Sequence, residues 1–367
     1  PLTPYIRVFE EKIGAPIRTY INAIYYLIEY WHGLRPHLGT AHGFDEWAVS
    51  AEWFSIQLNT PASQISAIFK DISFSVAEGR AFSDSTTGKP NEFMLYRERP
   101  LFEIESGRYV PVEGKLLEEL LFENLLYRIH KANGEIEVFL SKFGVEFEKY
   151  AQNYGLTFMS ALGQYQVIEE FSFGADNSLK SPDLMIALPE ENCIVVFEFK
   201  SARPLYASLS SENKPEKVNE SLTKLLDKPW EQSVKAVTNI MKKHAHPAFN
   251  DRVNYFFVVV TMNNFPMTLK EHVIYNAAGQ DISSYFHSFD IETFELLMRA
   301  ARLSPEYSLR DQLKWCYDAR HEMSAKTKLS RFIDIMETRG VVDDHVYHDL
   351  LQEVSMRYRA YFKSFSA

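Results

Sequence analysis

The sequence predicts an α/β fold: a mixed central sheet flanked by helices, with additional helical regions at the N- and C-terminal ends. Three observations carry this. Residues 193–200 and 253–261 are apolar runs rich in β-branched and aromatic residues, the pattern of strands buried on both faces. Around them, apolar residues recur at the helical spacing of i, i+3, i+4 and i+7. Polar turns at 174–180 and 189–192 join extended segments too short to be helices.

The elements follow in order. Residues 17–31 place Ile17, Tyr20, Ile21, Ile24, Leu27, Ile28 and Trp31 at helical spacing, and Pro36 and Gly39 end that helix. Pro61 opens another helix toward Asp71. Residues 78–91, with Gly79, Gly88 and Pro90, read as a loop. Within it, Thr87-Gly88-Lys89 lacks the upstream glycine and the following hydroxyl residue of a phosphate-binding loop and is set aside. A short strand pair is predicted over 101–112, about Ser106-Gly107, and one amphipathic helix over 115–131. Asn133-Gly134 breaks the chain before a further helix over 135–153, which contains Gly144. Residues 164–173 have β character, and 183–188 form a short apolar strand. A polar linker over 208–220, a helix over 230–243 and a mostly helical, charged stretch from 292 complete the chain. The expected organisation is a helical region (1–100), an α/β core (101–290) and a second helical region (291–367).

Composition narrows the class. The 367 residues are 46% hydrophobic and 24% charged, which suffices for a substantial core and excludes a disordered or low-complexity protein. A net charge of −10 argues against coating nucleic acid, yet it allows a local basic groove. Cys193 and Cys316 sit in apolar patterns without disulfide or zinc spacing, so both are expected to be reduced. No run reaches the roughly 18 apolar residues of a membrane span, and no segment reads as a signal peptide. A cytoplasmic protein without membrane contact is therefore expected. The chain opens on Pro1 and not Met, as a trimmed piece of a longer protein would.

The chemistry concentrates at the end of the 193–200 strand. Alternation puts Ile194, Val196, Glu198 and Lys200 on one face and Val195, Phe197 and Phe199 on the other. A carboxylate and an amine thus end an otherwise apolar strand, and buried charge is costly unless paired or metal-bound. Ser181-Pro182-Asp183 precedes the short apolar strand, and a four-residue turn returns the chain into Glu198-Phe199-Lys200. A hairpin of this size brings Asp183 toward Glu198. Removing Lys200, which projects from the strand end, is expected to leave the fold nearly intact.

Pro182-Asp183 and Glu198-Phe199-Lys200, in this order and at hairpin spacing, resemble the PD-(D/E)XK nuclease superfamily, which has the restriction-endonuclease-like fold. The resemblance spans about a third of the chain, residues 135–261. It implies a magnesium-dependent phosphodiester hydrolase in which Asp183 and Glu198 hold Mg²⁺ (or Mn²⁺) and Lys200 positions the attacking water. It also implies an acid on the helix before the sheet, four residues after a glycine. Glu148 after Gly144 and Glu118 after Gly114 both fit, and Glu148, immediately upstream of the strands, is the preferred candidate. Gln232 resembles the glutamine of the exonuclease-like branch, but Ala236 stands where that branch places a tyrosine.

The implied substrate is nucleic acid, DNA before RNA. Residues 199–246 carry nine Lys or Arg against five acids, a basic flank in an acidic chain, with Arg203, Gln232 and Lys235 as candidate contacts. The helical flanks are expected to select substrate, bind a protein partner or join a second copy of the chain. The alternative reading is an inactive module of the same fold that binds nucleic acid or a protein, although binding alone does not require Lys200 beside two acids.

Overall fold

The computed structural model describes residues 2–34, 47–87, 92–122, 124–201, 215–262, 274, 276, 278–319 and 328–340. The fold is α/β with mixed sheets. The chain divides into two compact units, the first over residues 1–142 and the second from Phe143.

The first unit contains α1 (Thr3–Ile13), α2 (Ile17–Leu34), β1 (Val49–Ser50), α3 (Ala51–Leu58), α4 (Ala62–Asp71), β2 (Ser73–Ser75) and α5 (Val76–Ser85). It continues with α6 (Met94–Glu98), β3 (Leu101–Glu105), β4 (Arg108–Pro111), α7 (Gly114–Phe122) and α8 (Leu125–Ala132). Helix α2 buries Tyr20, Ile24, Leu27, Ile28 and Trp31, most of the face that its periodicity marks as apolar. The predicted hairpin forms as β3 and β4, with Gly107 at φ 75° in its turn. It joins β1 and β2 in a sheet of order β1-β4-β3-β2, so residues 101–111 pack with the N-terminal helices.

Two sequence expectations change here. The loop expected over 78–91 starts inside α5, because Ser75 and Glu78 form a capping box. Glu78 Oε2 accepts the Ser75 N–H at 2.8 Å, and Ser75 Oγ accepts the Glu78 N–H at 3.3 Å. The helix expected over 115–131 is two, since the Asn124 N–H closes back on the Glu119 carbonyl at 2.7 Å and ends α7.

In the second unit, α9 (Glu137–Met159), whose first residues belong to the first unit, leads into β5 (Gln166–Glu169), β6 (Ser172–Phe173), β7 (Leu179–Lys180), β8 (Leu184–Leu188) and β9 (Cys193–Lys200). Helix α10 (Pro215–Leu222), a π-helical turn (Thr223–Asp227) and α11 (Lys228–Lys242) then cross to β10 (Asn254–Thr261). Strand β11 (Phe286–Asp290) and helices α12 (Ile291–Leu303), α13 (Leu309–Asp318) and α14 (Lys328–Thr338) follow. The helical residues 215–222 correct the linker expected over 208–220; its remainder lies outside the described residues.

The five-stranded sheet has the order β11-β10-β9-β8-β5, with β9, β10 and β11 parallel and β8 antiparallel to both β9 and β5. Strand β9 is therefore central, which is why its apolar residues occupy both faces. On one face Val195, Phe197, Phe199 and Val258 pack with Ala151, Phe294, Leu297, Leu313 and Met336 of α9, α12, α13 and α14. On the other, Ile194, Val196 and Val259 pack with Leu226 of the π-helical turn and Trp230, Val237 and Ile240 of α11. Helix α9 lies close over β8 at Gly155, where an added Cβ would stand 2.5 Å from Leu184 Cδ2. Among the described residues, no helix is long and apolar enough to cross a membrane.

Candidate active site

The β8–β9 ladder pairs Leu184 with Phe197, and one further step in that register sets Asp183 opposite Glu198. Directly opposed residues of an antiparallel pair project to the same face. Pro182 has no N–H for the ladder and stops the regular pairing. The Phe199 N–H next to this stop is satisfied by the Asp183 side chain instead, donating to Oδ2 at 2.7 Å. Upstream, Ser181 is pinned to Phe171 by reciprocal bonds of 2.9 Å, one to its hydroxyl and one from its own N–H. Asp183 is thereby fixed from both sides.

Glu198 is 9% exposed. Its Oε1 takes a hydrogen bond from Lys200 Nζ at 2.6 Å, and its Oε2 takes one from the Ser233 hydroxyl of α11 at 3.4 Å. Lys200 remains 27% exposed along its side chain, so the ammonium joins a buried carboxylate to the surface. All of this lies at the carboxyl ends of the parallel strands, where open α/β sheets present their ligand sites.

The electrostatics follow from burial and crowding. Burial, then the facing Glu198 carboxylate, push Asp183 up to about 7, against the Phe199 N–H and the Lys200 charge, which act the other way. For Lys200, burial disfavours the ammonium, but Glu198, through charge and hydrogen bond, with Asp183 and Glu148, outweighs it and holds the amine above its ordinary value. Glu148 of α9 is half-buried and raised by that burial, with Lys200 lowering it and Glu198 raising it further. Glu148 thus belongs to the same field as Asp183, Glu198 and Lys200. Glu118 pairs with His32 and Lys115 within the first unit.

The other candidates fall differently. Gln232 and Lys235 are exposed on α11, and Arg203 lies outside the described residues. Helix phase explains Gln232: Trp230, Ser233, Val237 and Ile240 form the sheet-facing stripe of α11, which turns residue 232 outward and residue 233 inward. That stripe is legible in the sequence and could have selected Ser233 as the group that meets Glu198. Gln152 was also missed. It lies one turn beyond Glu148, at the i+4 spacing that stacks side chains on one face, and its Nε2 donates to the Asp183 carbonyl at 2.9 Å.

The donor set suits a hard divalent cation. Two carboxylates face each other in a setting that leaves one of them short of compensating charge, and every carboxylate oxygen retains lone-pair capacity beyond the bonds above. A cation of the Mg²⁺ class is commonly held by one or two carboxylates while keeping several waters. Among the described residues, no three His, Cys, Asp or Glu side chains group closely enough to hold a metal by themselves. In comparisons with known proteins, no family model, no curated protein and no solved structure matches this chain.

Proposed function

We propose that the chain is a metal-dependent nuclease of the PD-(D/E)XK type, with a restriction-endonuclease-like core, that hydrolyses phosphodiester bonds of nucleic acid. The observation that carries this reading is the opposition of Asp183 and Glu198 across the β8–β9 register, with Lys200 Nζ 2.6 Å from Glu198. Asp183 and Glu198 would hold Mg²⁺ or Mn²⁺. When bound, the cation polarises the phosphate and lowers the pKa of a coordinated water.

The chain's own groups have separable tasks. Lys200, a partly exposed cation on rigid strand, meets the developing negative charge of the phosphate and orients the incoming water through its N–H donors. Gln152 and the Phe199 N–H fix the Asp183 backbone and carboxylate, and Ser233 fixes the free side of the Glu198 carboxylate. Glu148, one turn of α9 before Gln152, adds negative charge that would strengthen cation binding. The deciding experiment incubates the purified protein with labelled duplex and single-stranded DNA and RNA, in Mg²⁺, Mn²⁺ or EDTA. Cleavage that needs metal and disappears in Glu198→Gln supports the reading; absence of cleavage under every condition overturns it.

A further inference from the structure

The sheet-facing side of α11 is apolar, and its opposite side is basic. Lys228, Lys235 and Lys242 recur at i, i+7 and i+14, all exposed, with the exposed amide of Gln232 and the partly exposed amide of Asn239 between them. Seven residues are close to two helical turns, so the three ammoniums lie on one line about 10 Å apart and span about 21 Å. One acid, Glu231, stands beside that line. Among the described residues, none of the three lysines is engaged in an ion pair, whereas Lys115, Lys131, Lys149, Lys180 and Lys200 all are. In a chain of net charge −10, three lysines against this one acid are a local excess of positive charge. Ser233, the residue that meets Glu198, falls between Lys228 and Lys235 in sequence but on the opposite, sheet-facing side, so the line passes the candidate site across the width of the helix.

We infer that the outward face of α11 is a track for the phosphate backbone of the nucleic acid on which the candidate site acts, holding a stretch of it away from the scissile bond. Evenly spaced, flexible ammoniums neutralise a polyanion without reading its sequence, and the intervening amides donate to phosphate or sugar oxygens. An anionic membrane fits less well. A helix lying in a bilayer surface offers an apolar face to lipid, and the apolar face of α11 is occupied by the sheet. The choice of nucleic acid rests on the nuclease reading; the existence of the track does not require that cleavage occur.

Binding is therefore measured in EDTA, apart from catalysis. The combined variant K228Q/K235Q/K242Q is compared with wild type and with K12Q/K70Q/K115Q, which removes the same charge from exposed lysines of the first unit. Fluorescence anisotropy of a labelled duplex and a labelled single strand is followed across a salt series. Loss of three phosphate contacts should flatten the slope of log K against log salt by about 2.7 for duplex or about 2.1 for single strand. The first-unit variant should keep the wild-type slope. Equal slopes in all three proteins, or no nucleic-acid binding by wild type at low salt, overturn the track. Loss of binding to phosphatidylserine vesicles with nucleic-acid binding unchanged assigns the stripe to lipid and overturns it too. Binding that flattens as stated, in a protein that cuts nothing with metal present, keeps the track and removes the nuclease.

Discussion

Asp183 Oδ2 accepts the Phe199 N–H at 2.7 Å, so a side-chain carboxylate closes the hydrogen-bond ladder beside the Pro182 stop. The same carboxylate faces Glu198. One backbone donor and the Lys200 charge do not offset burial and the second acid, and Asp183 is held near 7. The site therefore keeps a repulsion that the fold alone has no use for, as expected where ligand binding supplies the missing charge.

Asp183→Asn should consequently stabilise the metal-free protein. The folded-state value lies above the ordinary 3.8. A group raised in this way contributes its stability below about 4, and that contribution is lost as pH rises toward 7. Asparagine keeps an oxygen for the Phe199 N–H and never ionises. Urea unfolding at pH 4 and pH 8, in EDTA, should show the variant gaining on wild type by a few kcal/mol at the higher pH. A constant difference across that range would mean that the carboxylates do not repel.

His287 gives the opposite window. It is buried on β11 between Phe256 and Phe289, and burial drives it down to about 4, with the Ser284 carbonyl only partly offsetting. The unfolded chain takes up the proton near 6.5, so stability is complete above that value and falls as pH drops toward 4. At pH 5 the loss from this residue alone should be about 2 kcal/mol. His287→Gln should show a shallower decline between pH 7 and pH 5 by chemical denaturation. Parallel declines in the two proteins would remove His287 as the cause.

Close packing of α9 on β8 is testable at Gly155. A methyl group there would stand 2.5 Å from Leu184 Cδ2, and Leu184 is wholly buried. Gly155→Ala normally favours a helix by about 1 kcal/mol, but overpacking of this kind opposes it by about 1–3 kcal/mol. The net expectation is a lower melting temperature. Because Leu184 adjoins Asp183, metal affinity measured by calorimetric titration should weaken in the same variant.

What the sequence made legible was the part governed by short-range pattern. The two-faced apolar run of β9, the turn at 189–192 and the alternation that groups Glu198 with Lys200 follow from period-two geometry, and the pairing of β8 with β9 follows from the short turn. Glu148 was legible because its helix directly precedes the strands. Strand β11 was not, since Phe286–Asp290 alternates with His287 and Ser288 and is short; only its place beside β10 makes it a strand. The pairing of residues 101–111 with the N-terminal sheet was equally hidden, because it depends on contacts with β1 and β2 remote in sequence. Ser233 and Gln152 are readable by helix phase alone, which places residue 233 on the buried stripe of α11 and Gln232 outside it.

Lys200 carries the central prediction, and the structure changes its stability half. On sequence grounds its removal should leave the fold nearly intact. Lys200, however, is the cation that meets the buried Glu198 carboxylate at 2.6 Å, with Asp183 opposite. Taking away one member of such a pair leaves the other uncompensated, and full burial of that kind costs about 3–5 kcal/mol. With Lys200 27% exposed, water screens part of this, and a loss of about 1–3 kcal/mol is the expectation for Lys200→Ala. Lys200→Gln retains an N–H donor for Glu198 Oε1 and should lose less. Catalysis separates from stability here. Both variants lack the positive charge that would meet the phosphate in the transition state, so both should cleave about 100- to 1000-fold more slowly. The measurement pairs melting curves with single-turnover cleavage rates at saturating Mn²⁺, at a temperature where both variants remain folded. A folded Lys200→Gln protein that cuts at the wild-type rate would show that Lys200 serves the Glu198 carboxylate and not the reaction.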